Sequence, residues 1–202
     1  MPLDARDLSL VVIDTSVHRE LATSGYNERR RQCEEAVQIL RKHIEQSKPG
    51  NNTANTICSL RDITQEQFER FGSHLPDVLQ RRVGFVLAAY ARVLETAKLL
   101  EQGSIKEIGP LLWASHAGLR DGYEVSCFEL DTLVEIVGQV SGVLGARMLG
   151  GGFGRCTINL VQNDAVDSLE QVVNAEYFTQ PGLHASVEIC KAAGGPGMKW
   201  IN

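Results

Sequence analysis

The apolar residues of this chain repeat with two different periods, and the order of those periods limits the fold. The run LSLVVID at residues 8–14 is short, apolar and β-branched, which is typical of a buried strand. Residues 26–140 carry apolar stripes with a helical period near 3.6. The period then switches back, and the sequence predicts two strands (GARML and CTINLV), a helix (DSLEQVVNAEYF) and a last strand (HASVEICKA).

This order of elements predicts an α+β fold. A strand, several helices, two strands, a helix and a strand form the split βαβ arrangement of ferredoxin-like domains, with extra helices inserted after the first strand. No internal repeat is apparent, and no linker is long enough to require two domains. Residues 1–202 are therefore predicted to form one domain, which is long enough to bury a core.

The inserted part is predicted to be several separate helices. One starts near Tyr26, a short one covers residues 65–71, and a long one begins after Pro76 and ends at Gly103. A further helix is expected over residues 105–120. The motif SCFE at 126–129 has the pattern of a capping box, so the next helix is expected to begin with the Ser126 side chain as its N-cap.

Charge and composition exclude two classes of partner. The net charge of −5 and the pI near 5.6 argue against a nucleic-acid partner, because phosphate backbones bind clustered Lys and Arg. The one basic cluster, residues 29–31, is followed by Glu34 and Glu35, which predicts a solvated helix face. No apolar run reaches membrane-spanning length and no signal peptide is apparent, so no membrane partner is expected.

The five cysteines are scattered and show no CxxC spacing. Neither a disulfide framework nor a zinc site is therefore expected, and a reducing, cytoplasmic compartment fits this usage. The spacing of His, Cys and acidic residues predicts no metal site. Ser115 and His116 are adjacent on one predicted helix, where side chains point about 100° apart. They are not expected to pair as nucleophile and base, and no other catalytic constellation emerges.

The segment GARMLGGGFGRCTINLV, residues 145–161, holds five glycines between two apolar runs. A phosphate cradle is one interpretation, because bare backbone N–H groups approach anions closely. The dinucleotide fingerprint G-x-G-x-x-G fails, since its third glycine position falls on Arg155 and a strand follows the run. A wide hairpin or close backbone packing is therefore favoured over the cradle.

Three segments of the chain resemble characteristic motifs of galactokinases in the GHMP sugar-kinase family. LATSGYNERRRQCEEA, the first segment (residues 21–36), resembles L-A-S-S-E-Y-x-x-R-R-x-x-C-E-x-A. SHAGLRDGYEVSCFELDTLVEI, the second segment (115–136), resembles S-H-x-S-L-R-D-D-Y-E-V-S-x-P-E-L-D. The third segment (145–161) resembles G-[AS]-R-M-T-G-G-G-F-G-G-C. They occur in the family's order and span most of the chain.

The resemblance implies a fold and an activity. GHMP kinases pair an N-terminal domain with a ferredoxin-like C-terminal domain, and galactokinases transfer the γ-phosphoryl of ATP with Mg²⁺ to the anomeric hydroxyl of galactose. In the family, the tyrosine that corresponds to Tyr26 contacts the sugar. The third-motif glycines lie beside the nucleotide site and support the phosphate-binding loop; here they are Gly150, Gly151, Gly152 and Gly154.

Two family motifs are not found in these 202 residues. One, R-V-N-L-I-G-E-H-x-D-Y, contacts the sugar, and the other, G-G-L-S-S-S-A, cradles the ATP phosphates. The aspartate credited with the base role also belongs to the N-terminal half, so no catalytic residue is assigned here. The chain is expected to be the C-terminal half, inactive alone, with a face exposed for the missing N-terminal domain or for self-association.

Seven positions depart from the family pattern, namely Gly25, Phe85, Ala89, Gly122, Phe128, Leu149 and Arg155. They stand, in that order, where the family commonly has Glu, His, Glu, Asp, Pro, Thr and Gly. Seven changes favour a divergent lineage or relaxed constraint on catalysis. A non-catalytic galactokinase-like module for sugar sensing or protein interaction is the alternative. At Arg155, obstruction of the domain contact is favoured over a contact with ATP phosphate.

Overall fold

The computed structural model describes residues 7–17, 22–47, 56–177 and 184–190. The strands are β1 (Leu8–Asp14), β2 (Val143–Met148), β3 (Cys156–Gln162) and β4 (Ser186–Cys190). The helices are α1 (Ala22–Ser47), α2 (Gln65–Phe71), α3 (Asp77–Gln102), α4 (Ile108–Ala117), α5 (Phe128–Gly138) and α6 (Val166–Glu176). In the parts of the chain described, no helix is both long and apolar enough to cross a membrane.

The four strands form one antiparallel sheet with the order β2-β3-β1-β4. In the central strand β1, Val11 lies opposite Asn159 of β3 on one side and Ile189 of β4 on the other. This topology confirms the predicted α+β fold with its split βαβ arrangement.

The two faces of the sheet carry different helices. Alternate residues of β1 point to opposite faces, as a strand requires. Val11 and Ile13 pack into the core formed with α5 and α6, where Leu133 and Leu169 are fully buried. Leu8 and Leu10 lie on the other face against the end of α3 and against α4. Helices therefore cover both faces of the sheet.

The inserted helices have a core of their own. Helices α1, α2 and α3 pack around a cluster that includes Ala36, Leu40, Phe71 and Val83. The predicted apolar stripe of α1 is confirmed, because Leu40 and Ile44 are buried and Cys33 and Val37 pack against the cluster. The predicted end of α3 is also confirmed, since Gly103 caps the helix in the left-handed conformation, with a φ of 73°.

Helix α4 lies directly on strand β2 through two glycines. A Cβ atom placed on Gly109 would lie 2.2 Å from the carbonyl oxygen of Leu144. One placed on Gly145 would lie 2.3 Å from the carbonyl oxygen of Gly109. The indole N–H of Trp113 donates to the same Leu144 carbonyl at 2.9 Å. Backbone-to-backbone packing here leaves no room for a side chain.

Of two predictions about helix ends, the N-cap of α5 is wrong and the extent of the helix before it is confirmed. Ser126 is not the N-cap of α5; that position is Cys127, and the Ser126 hydroxyl donates to Asp131 instead. The helix expected over 105–120 is confirmed as a continuous helical stretch, in which a 3₁₀ turn at Ile105–Glu107 leads into α4 and α4 ends at Ala117. A π turn follows at Gly118–Gly122, where the Tyr123 N–H donates to the Gly118 carbonyl.

Several predicted boundaries shift by a few residues. Helix α1 begins at Ala22, four residues before Tyr26, and β2 begins two residues before Gly145. The predicted last strand extends to residue 192, and its residues 191–192 lie outside the described residues, as do residues 48–55 of the predicted loop after α1. Such shifts are expected where hydrogen bonding, rather than composition, decides the ends.

A pair of glycine-to-alanine substitutions tests the contact of α4 with β2. Gly109→Ala is expected to lower the free energy of unfolding by about 1–3 kcal/mol, because its methyl group meets rigid backbone. Gly84→Ala on α3 is the matched control, since its methyl would meet only the Phe68 ring at 3.6 Å. That variant is expected to gain about 0.5–1 kcal/mol from helix propensity. Equal effects in urea denaturation would contradict this assignment.

Candidate functional site

The glycine run forms the loop of a hairpin between β2 and β3, which confirms the interpretation favoured over a phosphate cradle. Residues 149–155 are called the glycine loop below. The Leu149 N–H donates to the Cys156 carbonyl at 2.8 Å and closes its base. Gly150, Gly152 and Gly154 have φ of 80°, 86° and 127°, in the region that favours glycine.

The glycine loop packs against the second segment through one carbonyl. The Phe153 N–H donates to the Val125 oxygen at 2.8 Å. A Cβ atom on Gly152 would lie 2.1 Å from that same oxygen, so only glycine fits there. On the other side, the Arg155 N–H donates to the Val17 oxygen at 3.2 Å. The loop is therefore held on both sides by backbone.

The glycine loop also meets the first segment. The ring of Phe153 lies over Gly25, where an added Cβ would be 2.4 Å from the ring. A side chain at position 25 would require the Phe153 ring to move. This contact places Tyr26 beside the loop, with the Tyr26 side chain 58% exposed. A cavity of about 400 Å³ adjoins Tyr26 and extends between α1 and residues 58–61.

The segment Gly122–Val125 is bound by an arginine from α1. Arg29 donates from Nε to the Tyr123 carbonyl at 2.7 Å and from Nη2 to the Glu124 carbonyl at 2.9 Å. Its side chain is only 14% exposed, and burial lowers its pKa. The prediction that residues 29–31 form a solvated face is thus wrong for Arg29. It is confirmed for Arg30 and Arg31, which are exposed and pair with neighbouring glutamates.

A second arginine, Arg82 from α3, binds the same segment. It is 1% exposed, pairs with the Glu124 carboxylate and donates to the Gly122 carbonyl. Its Nε atom also donates to Gln32 of α1 at 3.2 Å. These guanidinium contacts hold the pKa of Glu124 below its usual value. The sequence offered one signal of this role: Arg82 interrupts the apolar stripe of α3 beside Val83.

The end of β2 is held by the second segment. The Met148 N–H donates to Nδ1 of His116 at 3.2 Å, and Nε2 of His116 lies 3.2 Å from the Asp131 carboxylate. Ser115 instead accepts from Arg147 at 3.1 Å. Ser115 and His116 therefore serve different partners, which confirms that they do not form a nucleophile–base pair. Their contacts position the strand from which the glycine loop starts.

The site thus supplies surface and backbone, and the His116–Asp131 pair described above is largely buried, with the His116 side chain 4% exposed. A Cβ atom placed on Gly150 or Gly151 would meet no atom of the described chain within 4 Å, so another chain segment has room to approach them. Arg155 is exposed beside them and has a φ of 75°. Within the described residues, no group of three His, Cys, Asp or Glu side chains is placed to hold a metal ion.

Substitutions at Arg155 test its backbone strain. The left-handed conformation costs a residue with a Cβ about 1–2 kcal/mol, whereas glycine adopts it freely. Arg155→Gly is therefore expected to be about 1 kcal/mol more stable than Arg155→Ala, measured by urea denaturation. Both variants remove the charge and the long side chain, so the difference isolates the backbone contribution. A variant with alanine as stable as the one with glycine would contradict the strain.

The pH dependence of stability tests the role of His116. Burial lowers the pKa of His116, outweighing the opposite effect of Asp131, and its Nδ1 accepts a hydrogen bond only when deprotonated. Between the folded pKa and the unfolded value near 6.5, the unfolded chain binds more protons. Stability from this group is therefore complete above about pH 6.5 and is lost as the pH falls below it.

His116→Gln is expected to flatten the fall in melting temperature between about pH 6.5 and 5, because glutamine does not titrate. His184→Gln is the control, since the exposed His184 lies in the segment before β4. The control is expected to keep the parent's pH dependence. An unchanged slope in His116→Gln would show that this histidine does not carry the effect.

Several known proteins are similar to this chain in sequence and in fold. Residues 96–179 match the family model described as GHMP kinases C terminal. The galactokinase of Fusobacterium nucleatum is 37% identical over 198 residues, which are 98% of this chain and 48% of that protein. The chain therefore spans about half the length of this curated relative.

Solved structures of kinases are also similar to this chain. The galactokinase of Lactococcus lactis, solved with galactose, matches with a TM-score of 0.78 and 33% identity, over 93% of this chain and 46% of that one. The mevalonate kinase of L. major, solved with R-mevalonate, matches with a TM-score of 0.51 and 20% identity, over 84% of this chain and 39% of that one. At that identity the second match shows the fold alone. Residues 96–179 thus match a GHMP kinase C-terminal domain, and nearly the whole chain is similar in sequence and in fold to about half of a galactokinase.

Proposed function

We propose that this chain acts as the C-terminal half of a sugar kinase that transfers the γ-phosphoryl of ATP to the anomeric hydroxyl of galactose. The convergence of the three galactokinase-like segments carries the proposal. Phe153 of the third segment contacts Gly25 of the first and the Val125 carbonyl of the second. Residues far apart in sequence thus contribute to one surface, which is what a shared binding role requires.

The parts of this surface have distinct proposed roles. Tyr26 presents an exposed phenol that offers the sugar a hydrogen bond and a flat apolar face. Gly150 and Gly151 leave space for the phosphate-binding loop of an N-terminal domain, whose backbone has to come close. Gly152 and Gly154 keep the glycine loop in position against Val125 and Val17. The chain thereby orients the substrates for a reaction that depends mainly on positioning.

The chemistry itself is assigned to the N-terminal half. The described residues of this chain hold no cluster suited to Mg²⁺, which prefers carboxylates together with substrate phosphates. The family's base is an aspartate of that half, and its ATP-phosphate motif lies there too. We therefore propose that the N-terminal half supplies the base and the contacts to Mg²⁺-ATP, and that this chain alone does not turn over.

A surface for the N-terminal half is available. Each segment exposes one large apolar side chain: Tyr26 from the first, Phe128 from the second and Leu149 from the third, with exposed fractions of 58%, 73% and 40%. Exposed apolar groups of this size are typical of interaction surfaces when they form one patch. In the absence of the N-terminal half, the same surface is proposed to mediate self-association.

A second candidate function is a non-catalytic galactokinase-like module for sugar sensing or interaction. Two departures from the family favour it. Phe85, where the family commonly has His, stacks on Tyr123 with ring centroids 4.9 Å apart and belongs to an apolar cluster. Arg155 places a long cation at the edge where the N-terminal half would approach. A module of this kind would bind galactose without transferring phosphate.

Complementation tests the proposed function. The purified chain is expected to form no galactose 1-phosphate from ATP, Mg²⁺ and galactose. Adding the N-terminal half of the Fusobacterium nucleatum galactokinase as a separate polypeptide is expected to restore turnover. Tyr26→Ala is then expected to raise the KM for galactose about tenfold, the effect of losing one hydrogen bond and a packing face. Tyr90→Ala, which removes another exposed tyrosine, is the control.

The outcomes separate the two candidates. Turnover by the chain alone would contradict the assignment of the chemistry to the N-terminal half. Galactose binding by the mixture without product would favour the non-catalytic module. In an active mixture, Arg155→Gly is expected to tighten ATP binding if Arg155 obstructs the domain contact, and to weaken it if the guanidinium contacts phosphate.

A further inference from the structure

A second cavity, of about 470 Å³, lies between α3, α4 and β2. Most of its wall is aliphatic or aromatic, with Phe85, Leu111 and Leu112 as examples. Its polar residues include two arginines, Arg92 of α3 and Arg147 of β2. None of the side chains that line it is a carboxylate. Cavities of this size and composition are typical of small-molecule sites.

Arg92 has hydrogen-bond donors without acceptors. Its Nε and Nη2 atoms are buried, and no partner for them occurs among the residues that the structure describes. The guanidinium carbon lies 6.0 Å from the centroid of the Phe85 ring, which is the outer limit of a cation–π contact. Burial lowers the pKa of Arg92, and no nearby acid opposes this effect. Unpaired buried donors on a cation are costly.

Arg147 adds a second positive charge to the same cavity. It donates from Nη1 to Ser115 and from Nε to the Met148 carbonyl, both of which are neutral acceptors. Burial lowers the pKa of Arg147, and the positive charge of Arg92 lowers it further. In the described part of the chain, neither arginine forms an ion pair. The two guanidinium groups thus repel one another and have no counter-charge. A bound anion would offset this repulsion.

The position that could supply a counter-charge is an alanine. Ala89 also lines the cavity and lies one helical turn before Arg92, a spacing at which side chains are neighbours. Ala89 is one of the positions where the chain departs from the galactokinase pattern, which commonly has glutamate there. The cavity therefore combines open space with two cationic side chains and no carboxylate in its lining.

We propose that this cavity binds a small organic acid, with its carboxylate on Arg92 and Arg147 and its apolar body against Phe85, Leu111 and Leu112. The carboxylate would contact the two guanidinium groups from the cavity side, and its negative charge would offset the unpaired buried Nε and Nη2 atoms of Arg92. The apolar wall favours a hydrocarbon chain or ring over a bare inorganic anion. This site is separate from the surface formed by Tyr26 and the glycine loop.

Calorimetry with matched probes tests the proposal on the full chain. Octanoate and 3-phenylpropionate carry the expected carboxylate and apolar body; octan-1-ol lacks the charge, and inorganic phosphate lacks the apolar body. At least one of the two acids is expected to bind and to raise the melting temperature. Octan-1-ol and phosphate are each expected to bind at least roughly tenfold more weakly, because octan-1-ol lacks the carboxylate and phosphate lacks the apolar body.

Two variants locate the site. Arg92→Gln is expected to weaken binding of the acid by roughly tenfold or more, and Ala89→Glu to abolish it by supplying an internal carboxylate. Both variants are expected to melt at the same temperature as the unliganded parent or higher, because Arg92→Gln removes the unpaired buried charge and Ala89→Glu pairs it. Lys98→Gln removes one charge from the exposed side of α3 and is expected to leave binding unchanged.

Four results would overturn the proposal. These are failure of both acids to bind, equal binding of octan-1-ol, equal binding of phosphate, and unchanged binding in Arg92→Gln. A lower melting temperature in both Arg92→Gln and Ala89→Glu, with no response of the parent to either acid, would show that Arg92 has a purely structural role. None of these measurements depends on sugar phosphorylation, so the proposed kinase function and this site fail or stand separately.

Discussion

Two buried arginines that bind one short stretch of backbone hold the first and second galactokinase-like segments together. Arg29 of α1 and Arg82 of α3 donate to the carbonyls of residues 122–124, and Arg82 also pairs with the Glu124 carboxylate. Guanidinium groups suit this task because their fixed donors reach several oxygens at once. A helix–helix unit and a loop after α4 are thereby joined by charge-assisted hydrogen bonds, in a place where apolar packing alone would not specify the backbone.

Val125, the residue after this stretch, connects the stretch to the glycine loop. The Val125 carbonyl accepts from Phe153 and lies so close to Gly152 that no side chain fits. Gly152 and Gly154 let one backbone touch another, whereas Gly150 and Gly151 have open space beside them. The N–H groups of Phe153 and Arg155 in this loop already donate to carbonyls within the chain.

The sequence predicted the sheet, the hairpin and the core well, because each depends on local period and turn chemistry. It did not predict the contacts made between distant segments. In the sequence, Arg29 is one of three similar arginines on a predicted surface. It differs from the other two because the carbonyls of residues 123–124 lie within its reach in the folded chain. Ser126 and Glu129 satisfy the capping-box pattern, but Asp131 competes for the Ser126 hydroxyl. Motif resemblance identified the segments of the site, whereas their meeting through Phe153 required the tertiary structure.

Two of the departures from the galactokinase pattern that change charge, at Arg155 and Ala89, differ in how far solvent reaches them. Arg155 adds a cation to an exposed loop edge, where water solvates it and the main cost is its left-handed backbone. Ala89 removes a carboxylate beside Arg92, whose Nε and Nη2 atoms are buried without partners in the described part of the chain. A surface charge of the first kind persists by drift with little penalty. A desolvated pair of arginines is a continuing cost, so the cavity at Ala89, more than the loop at Arg155, calls for a ligand to explain it.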